Sequence, residues 1–275
     1  MTTPSIPLNS GTGIPQLGLG TWPLDDAEVE RTIVEAAAIG YRHIDTAVKY
    51  GNEVGVGRGV AASGLPRDEV FVTTKLDGTY QGDDRALAGL EGSLERLGLD
   101  YVDLLLIHWP LPARDQYVST WETFIRLRDE GRAKAIGVSN FKPAHIDRLI
   151  AETGVVPAVN QIQLSPAIQR REQRAYDAEH GIVTESWSPL GAGGELLNAA
   201  AVEEVSAKHD KTPGQVVLRW HLQNGLVVIP KSSNRERLAQ NFDVFDFELD
   251  ADDLAALDTL DEGPDAGVDS DRSGH

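Results

Sequence analysis

The chain has no cysteine, and that one absence removes disulfide frameworks, thiol nucleophiles, cysteine zinc sites and iron–sulfur clusters together. Any chemistry must run on oxygen and nitrogen groups. Long apolar runs are also missing: no window approaches the ~18 uninterrupted apolar residues of a membrane span. The polar opening, Thr2 to Asn9, has neither the basic segment nor the apolar stretch of a signal peptide. A cytoplasmic protein without a membrane partner is expected. Basic residues are outnumbered, with 25 Lys and Arg against 43 Asp and Glu and a formal charge of −18. Such a balance opposes phosphate neutralisation and argues against nucleic acid as a partner. Eleven carboxylates and Arg272 between Asp246 and His275 carry −10 of that charge. This stretch reads as a solvated acidic surface, with a mobile acidic tail from about residue 261.

What is present is an ordinary globular composition, 41% hydrophobic and 25% charged over 275 residues. Short β-branched or apolar runs alternate with longer segments of helical period, the pattern of a parallel sheet. The runs are Leu17 to Gly20, His43 to Thr46, Val70 to Lys75, Val102 to His108, Ala135 to Ser139, Ala158 to Gln161, Ile182 to Trp187 and Leu226 to Pro230. The helical segments are Ala27 to Ala38, Glu53 to Ala62, Arg85 to Leu97, Val118 to Glu130, Pro143 to Glu152, Arg170 to Glu179, Leu196 to His209 and Arg235 to Phe242. Pro213 to Gln223 reads as an extra helix before strand eight, with Thr212 as its cap. Eight strand-then-helix units without a linker are most simply closed into a single (β/α)₈ TIM barrel, one α/β domain over 1–275. A doubly wound sheet is the alternative. Ser5 to Gln16, around Asn9-Ser10-Gly11, suggests an N-terminal β-hairpin placed to plug the barrel bottom.

In a barrel, chemistry belongs at the carboxyl ends of the strands. That filter retains Asp45, Tyr50, Lys75, His108, Trp109, Ser139, Asn140, Gln161, Trp187, Ser188, Lys231 and Ser232. Asp45, Tyr50, Lys75 and His108 belong to strands two, three and four and can meet in one cluster. A phenol with a pKa of about 10 is a poor proton donor at neutral pH, but an adjacent ammonium stabilises phenolate and lowers that value. Asp45 can hold the lysine in place while His108 orients a carbonyl oxygen. Such a group suits carbonyl reduction, in which an alkoxide forms as hydride arrives. Each residue also has a bland reading, as packing, helix cap or buried polar group. A metal site on His43, Asp45 and His108 is a rival, opposed by the positive charge of Lys75 beside any cation.

Carbonyl reduction needs a hydride, for which a nicotinamide cofactor is the natural source. Gly57-Arg58-Gly59-Val60-Ala61-Ala62 matches the dinucleotide fingerprint but lies inside a helical segment with no strand before it, so it reads as a close-packing face. A better phosphate site follows strand eight, where Lys231-Ser232-Ser233-Asn234-Arg235-Glu236-Arg237 puts hydroxyls and cations at a helix start. Salt bridges from these cations to the acidic tail are the competing reading.

Tyr41-Arg42-His43-Ile44-Asp45-Thr46-Ala47 followed by Tyr50-Gly51-Asn52-Glu53 resembles the aldo-keto reductase superfamily. So do Thr73-Thr74-Lys75-Leu76, the stretch from Leu99 through Ile107-His108-Trp109-Pro110, Gly137-Val138-Ser139-Asn140-Phe141 and Ile229-Pro230-Lys231-Ser232. The resemblance spans nearly the whole chain and is close to the bacterial branch that includes 2,5-diketo-D-gluconate reductases. It implies Tyr50 as proton donor, Lys75 and Asp45 as its tuning pair and His108 as substrate orienter. It also implies NADPH. Lys231, Ser232 and Arg237 would grip its 2′-phosphate, with Ser233 among the cofactor contacts and Gln240 and Asn241 near the adenine. Ser139, Asn140 and Gln161 would hold the carboxamide, and Trp187 would stack on the nicotinamide. Ser188, Leu190 and Gly191 would follow the pyrophosphate, and Gly20, Thr21, Trp22 and Asp45 would complete the cofactor contacts. Trp22, Tyr50, Asp77, His108 and Trp109 would line the substrate pocket.

Two departures stand out: Asp77 where relatives often carry Trp, and Gln161-Ile162-Gln163-Leu164-Ser165-Pro166 where Gln-Ile-Glu-x-His-Pro is usual. Lys49 beside Tyr50 can attract an anionic substrate or stay solvated. The leading expectation is a monomeric, NADP-dependent oxidoreductase reducing aldehydes or ketones to alcohols. A cofactor-binding regulatory subunit of the same superfamily and a metal-dependent sugar isomerase on the same barrel are the alternatives.

Overall fold

The computed structural model describes residues 3–191 and 194–274. An antiparallel hairpin opens the chain, with β1 (Ser5–Pro7) and β2 (Gly13–Pro15) in register so that Ile6 faces Ile14. Leu8 and Ile14 are buried against Leu104, Leu106, Val159 and Val227. The hairpin therefore stoppers one end of the barrel interior, as the apolar residues flanking its turn require.

Eight parallel strands follow: β3 (Leu19–Gly20), β4 (His43–Asp45), β5 (Phe71–Leu76), β6 (Val102–Ile107), β7 (Ala133–Ser139), β8 (Val159–Gln163), β9 (Val183–Trp187) and β10 (Val227–Val228). Each pairs with its sequential neighbour. The sheet closes on itself, because Gly18 N donates to Val228 O at 2.8 Å, Val228 N to Gln16 O at 2.9 Å and Gly20 N to Pro230 O at 3.1 Å. Among the described residues, closure leaves the eight-stranded sheet without an open edge.

The helices are α1 (Asp26–Ile39), α2 (Glu53–Ala62), α3 (Asp83–Leu97), α4 (Tyr117–Asp129), α5 (Pro143–Thr153), α6 (Arg171–Glu179), α7 (Ala200–His209), α8 (Pro213–Gln223), α9 (Arg235–Phe242) and α10 (Ala251–Asp258). None is long and apolar enough to cross a membrane. The extra helix before the last strand is α8, started by Pro213 and by a reciprocal pair in which Thr212 caps the Gln215 amide and Gln215 returns the bond. The segment from Leu196 differs from a single helix: a short 3-10 turn at Leu196–Asn198 precedes α7.

Two features correct the sequence reading of the carboxyl end. α10 lies within the stretch read as acidic surface; Asp250 and Asp253 cap it reciprocally, and Leu257 is buried with Trp220 and Leu249 in one apolar cluster. The tail beyond it is tied down. Val268 N donates to Gln163, Arg170 to Val268 O, and Lys142 to both Asp269 and Asp271. Gln163 is the neutral residue of the second sequence departure, and its amide oxygen is what accepts the tail.

The glycines of α2 act as the close-packing face expected of them. A methyl group at Gly57 would fall 2.1 Å from Leu97 O, and one at Gly59 would fall 2.9 Å from the Ile33 side chain. No strand leads directly into this helix.

Candidate active site

Parallel register brings the polar strand ends to one face. Gly20 is level with Asp45, Asp45 with Thr73, Ser139 with Gln161, and Gln161 with Glu185. Lys75, two residues further along β5, reaches back over this layer. Its ammonium donates to Asp45 Oδ1 at 2.6 Å, to Thr46 O at 3.0 Å and to Tyr50 Oη at 3.4 Å. Lys75 and Asp45 are both essentially sealed from solvent, at 1% and 2% exposure. Tyr50 sits between Trp22, at a ring separation of 5.3 Å, and the edge of His108, at 5.8 Å. Four residues from separate places in the sequence thus form one cluster.

The loop carrying Tyr50 is anchored by a residue the sequence reading did not single out. Asn52 accepts from Thr46 Oγ1 and donates to the carbonyls of Thr21 and Leu24. It stitches the first two strand-end loops together.

The net acidity of Tyr50 differs from the sequence expectation. Burial pushes the phenol up; the Lys75 ammonium pulls it down as anticipated, but Asp45 and Glu185 oppose that pull and the balance stays upward. The group is therefore held as a phenol, the form a donor needs. Burial disfavours the Lys75 ammonium, yet Asp45 and Tyr50 outweigh it and hold its pKa up to about 12. Burial pushes the carboxyls of both Asp45 and Glu185 up. Lys75 contacts Asp45 directly, so Asp45 keeps the negative charge and Glu185, pushed up to about 8, keeps the proton.

His43 lies below the cluster. Its Nε2 meets Thr73 Oγ1 at 3.1 Å and Glu185 at 3.7 Å, and burial, with Lys75 adding to it, drives its pKa down to about 3. Among the described residues no group of three His, Cys, Asp or Glu is arranged to hold a metal ion.

Above the cluster opens a cleft of about 410 Å³, lined by Gly20, Thr21, Trp22, Asp45, Lys49, Tyr50, His108, Trp109, Ser139, Asn140, Gln161, Trp187, Ser188 and Lys231, with Pro189 and Ile229. Asn140 ties three strand ends together: its Nδ2 donates to His108 O and Ser139 Oγ, and its Oδ1 accepts from Trp187 Nε1 at 2.9 Å. Asn140 and Ser188 both adopt left-handed backbone, at φ 63° and 51°, an arrangement that concentrates at functional sites. Trp22 stands 57% exposed at the cleft mouth and Trp109 only 8%. Asp77 is buried just past the end of β5. Its carboxylate accepts from Thr79 N and Oγ1 and so caps the turn at Gly78–Tyr80.

At the far end of the cleft, Asn234 caps α9 by accepting from Arg237 N. Ser232 is buried and accepts from Arg237 Nε at 3.4 Å, while Lys231 and Arg237 are exposed. Among the described residues neither cation makes an ion pair; the carboxylates of the last thirty residues pair instead with Lys142, His145, Arg171, Lys208, His209, Lys211, Arg219 and Arg272. Ser233, Gln240, Leu190 and Gly191 are half-buried and Asn241 buried.

Glu185 is the charged residue that sequence reasoning passed over. The signal was available: an acid in the middle of a short strand, two residues before Trp187 and therefore on the same face.

The aldo/keto reductase family model matches residues 11–262. An aldo-keto reductase of Mycolicibacterium smegmatis is 51% identical over 267 residues, covering 97% of each chain. The methylglyoxal reductase DkgA of Escherichia coli is 48% identical over 272 residues, covering 98% of each. Among solved structures, a mutant of Gox0644 in complex with NADPH superposes with a TM-score of 0.95 at 45% identity over the full length of both chains. A reductase from Brucella melitensis gives 0.92 at 49% identity, over 95% of this chain and 99% of that one.

Proposed function

Because the chain belongs to the aldo/keto reductase family, we propose that it is an NADPH-dependent oxidoreductase converting aldehydes or ketones to alcohols, with Tyr50 as the proton donor. The observation that carries the reading is the buried ammonium of Lys75 set 3.4 Å from the Tyr50 hydroxyl on the floor of a cleft wide enough for a small molecule.

The residues present fit the cofactor. Lys231 and Arg237 are cations without ion pairs among the described residues, in a chain of net charge −18, and they flank a hydroxyl at a helix start, an arrangement that favours an anion. In this reading Lys231, Ser232, Ser233 and Arg237 hold the 2′-phosphate, with Gln240 and Asn241 beside the adenine. Ser188, Leu190 and Gly191 follow the pyrophosphate, Trp187 offers a flat aromatic face, and Ser139, Asn140 and Gln161 meet the carboxamide, with Gly20, Thr21 and Trp22 opposite. When bound, NADPH supplies the hydride.

The chain's own groups handle the proton. Tyr50 Oη delivers it to the carbonyl oxygen as negative charge develops there, and Lys75, kept charged by Asp45, stabilises the phenolate left behind. His108, set edge-on to Tyr50, orients that oxygen. Trp22 and Trp109 shape the walls, and Asp77 bears on the same pocket while its Oδ1 caps the turn at Gly78–Tyr80. All of these residues come from one chain, so a monomer suffices.

The test is Tyr50→Phe with a panel of small carbonyl compounds, beginning with 2-oxoaldehydes because a relative is named a methylglyoxal reductase. NADPH should still quench tryptophan fluorescence while turnover falls by roughly 10²–10⁴-fold. Undiminished turnover removes Tyr50 from the role, and NADPH binding without turnover of any substrate by the unaltered protein favours the regulatory reading.

A further inference from the structure

The proposed reaction centre holds one more titratable group than a donor and its tuning pair require. Glu185 lies mid-strand in β9, directly across from Gln161, and is fully buried. Gln161 Nε2 donates to Glu185 Oε2 at 2.9 Å and to Asp45 Oδ2 at 2.8 Å. One amide nitrogen is thus shared between two carboxyls, and both of its hydrogens are used. The remaining oxygen, Glu185 Oε1, makes no hydrogen bond among the described residues; His43 Nε2 at 3.7 Å is out of range.

Two carboxyls therefore face a single ammonium, and only Asp45 touches it. A second ionised carboxylate here would leave one negative charge unmatched in a dry volume and one of its oxygens bare. A protonated Glu185 removes the unmatched charge, the larger of the two costs, and leaves a neutral oxygen bare in place of an anionic one. The groups around it leave that balance intact. His43 is neutral, Lys75 stays cationic and Asp45 anionic, while Tyr50 faces Lys75 on one side and the His108 edge on the other. Lys49 lines the open cleft above.

Resting on the reading of Tyr50 as donor, we propose that Glu185 is a positioning residue for the reaction: a buried carboxyl, joined to Asp45 through the shared amide of Gln161, that governs how readily the Tyr50 hydroxyl gives up its proton. While Glu185 is protonated, Asp45 is the only anion opposing Lys75, and a phenolate at Tyr50 is a tolerable second one. Once Glu185 ionises it becomes that second anion, and Tyr50 holds its proton more tightly. The residue acts as a brake on phenol ionisation at alkaline pH.

The experiment compares pH profiles of the intact protein and Glu185→Gln for carbonyl reduction with NADPH and for alcohol oxidation with NADP⁺. In the variant, the alkaline loss of reduction and the alkaline onset of oxidation should both move to lower pH. The expected shift is about one pH unit, the scale of one charge several ångströms away at an effective dielectric constant of ~20. The phenolate absorbance of Tyr50, isolated by subtracting Tyr50→Phe, should shift equally without any turnover. Unmoved profiles and an unmoved phenol titration, with NADPH quenching intact, overturn the proposal. Should Glu185→Gln not fold, Glu185→Thr is read the same way, and failure of both overturns it by making Glu185 a fold residue. Full activity in Tyr50→Phe would instead be a failure of the donor assignment, seen separately from either profile.

Discussion

Lys75 and Asp45 stand 2.6 Å apart with neither side chain more than 2% exposed, which makes them a desolvated ion pair in the barrel centre. Such pairs contribute little net stability when intact, but removing one partner strands the other charge at a cost of about 3–5 kcal/mol. Lys75→Met should therefore unfold at markedly lower urea, and Lys75→Met combined with Asp45→Asn should recover part of the loss. Turnover should be abolished in both. Equal stability of the single and double variants would show that the two residues are not energetically coupled.

The cofactor end of the cleft makes the opposite prediction, a binding loss without a stability loss. Lys231 and Arg237 are exposed and form no ion pair among the described residues, so replacing both with Ala leaves the fold intact. Each hydrogen bond to a charged group is worth about 1.5–3 kcal/mol, so NADPH affinity should drop by on the order of 100-fold or more. NADH affinity should hardly change. Fluorescence quenching by the two nucleotides measures both, and a parallel loss of NADPH and NADH would move the phosphate site elsewhere.

Much of this arrangement could be read from the sequence because parallel strands place their carboxyl ends at one face, and alternation then decides which side chains point inward. Asp45, Lys75, Ser139, Gln161 and Trp187 all follow from strand ends alone. Local capping chemistry was equally readable at Thr212-Pro213-Gly214-Gln215. The failures were of a different kind. The alternation that puts Glu185 on the face of Trp187 does not reveal its role, which depends on Gln161 joining it to Asp45 by bonds that span 24 and 116 residues of sequence. Asp77 also satisfies a turn two residues away, a local bond that its place after a strand does not announce. The carboxylates of the acidic carboxyl end are largely exposed, as their charge predicts, but charge alone does not disclose the cations that hold them, among them Lys142, Lys208 and Lys211. Its apolar positions at Leu249, Leu254, Leu257 and Leu260 pack with Trp220 and Val216.

The glycines of α2 separate motif from mechanism. A methyl group at Gly57 meets the Leu97 carbonyl oxygen at 2.1 Å, a backbone atom with no rotamer to adopt. Gly57→Ala should therefore destabilise the fold by about 1–3 kcal/mol, the usual cost of overpacking. If the helix were a dinucleotide loop, the same change would weaken NADPH binding instead. Denaturation midpoints and nucleotide titrations on the folded variant distinguish the two, and the packing role requires an unchanged NADPH affinity.

Glu185 also leaves a mark on stability that needs no turnover to detect. Its carboxyl is pushed from an ordinary 4.5 up to about 8 by burial and by Asp45, so the folded chain binds this proton more tightly than the unfolded chain. For a raised carboxyl the contribution is fully present below pH 4.5 and is lost as pH climbs toward 8, since the unfolded state has already released the proton. Other groups titrate in the same window, which is why the informative quantity is the difference between the intact protein and Glu185→Gln. That difference in unfolding free energy should shift against the intact protein by on the order of 2 kcal/mol between pH 5 and pH 8.5, given ~1.4 kcal/mol per unit of displacement and partial relaxation. Urea denaturation at the two pH values measures it. A difference independent of pH would mean that Glu185 ionises inside the barrel as freely as in water, and the shared Gln161 amide would then be holding two carboxylates, not a carboxylate and an acid.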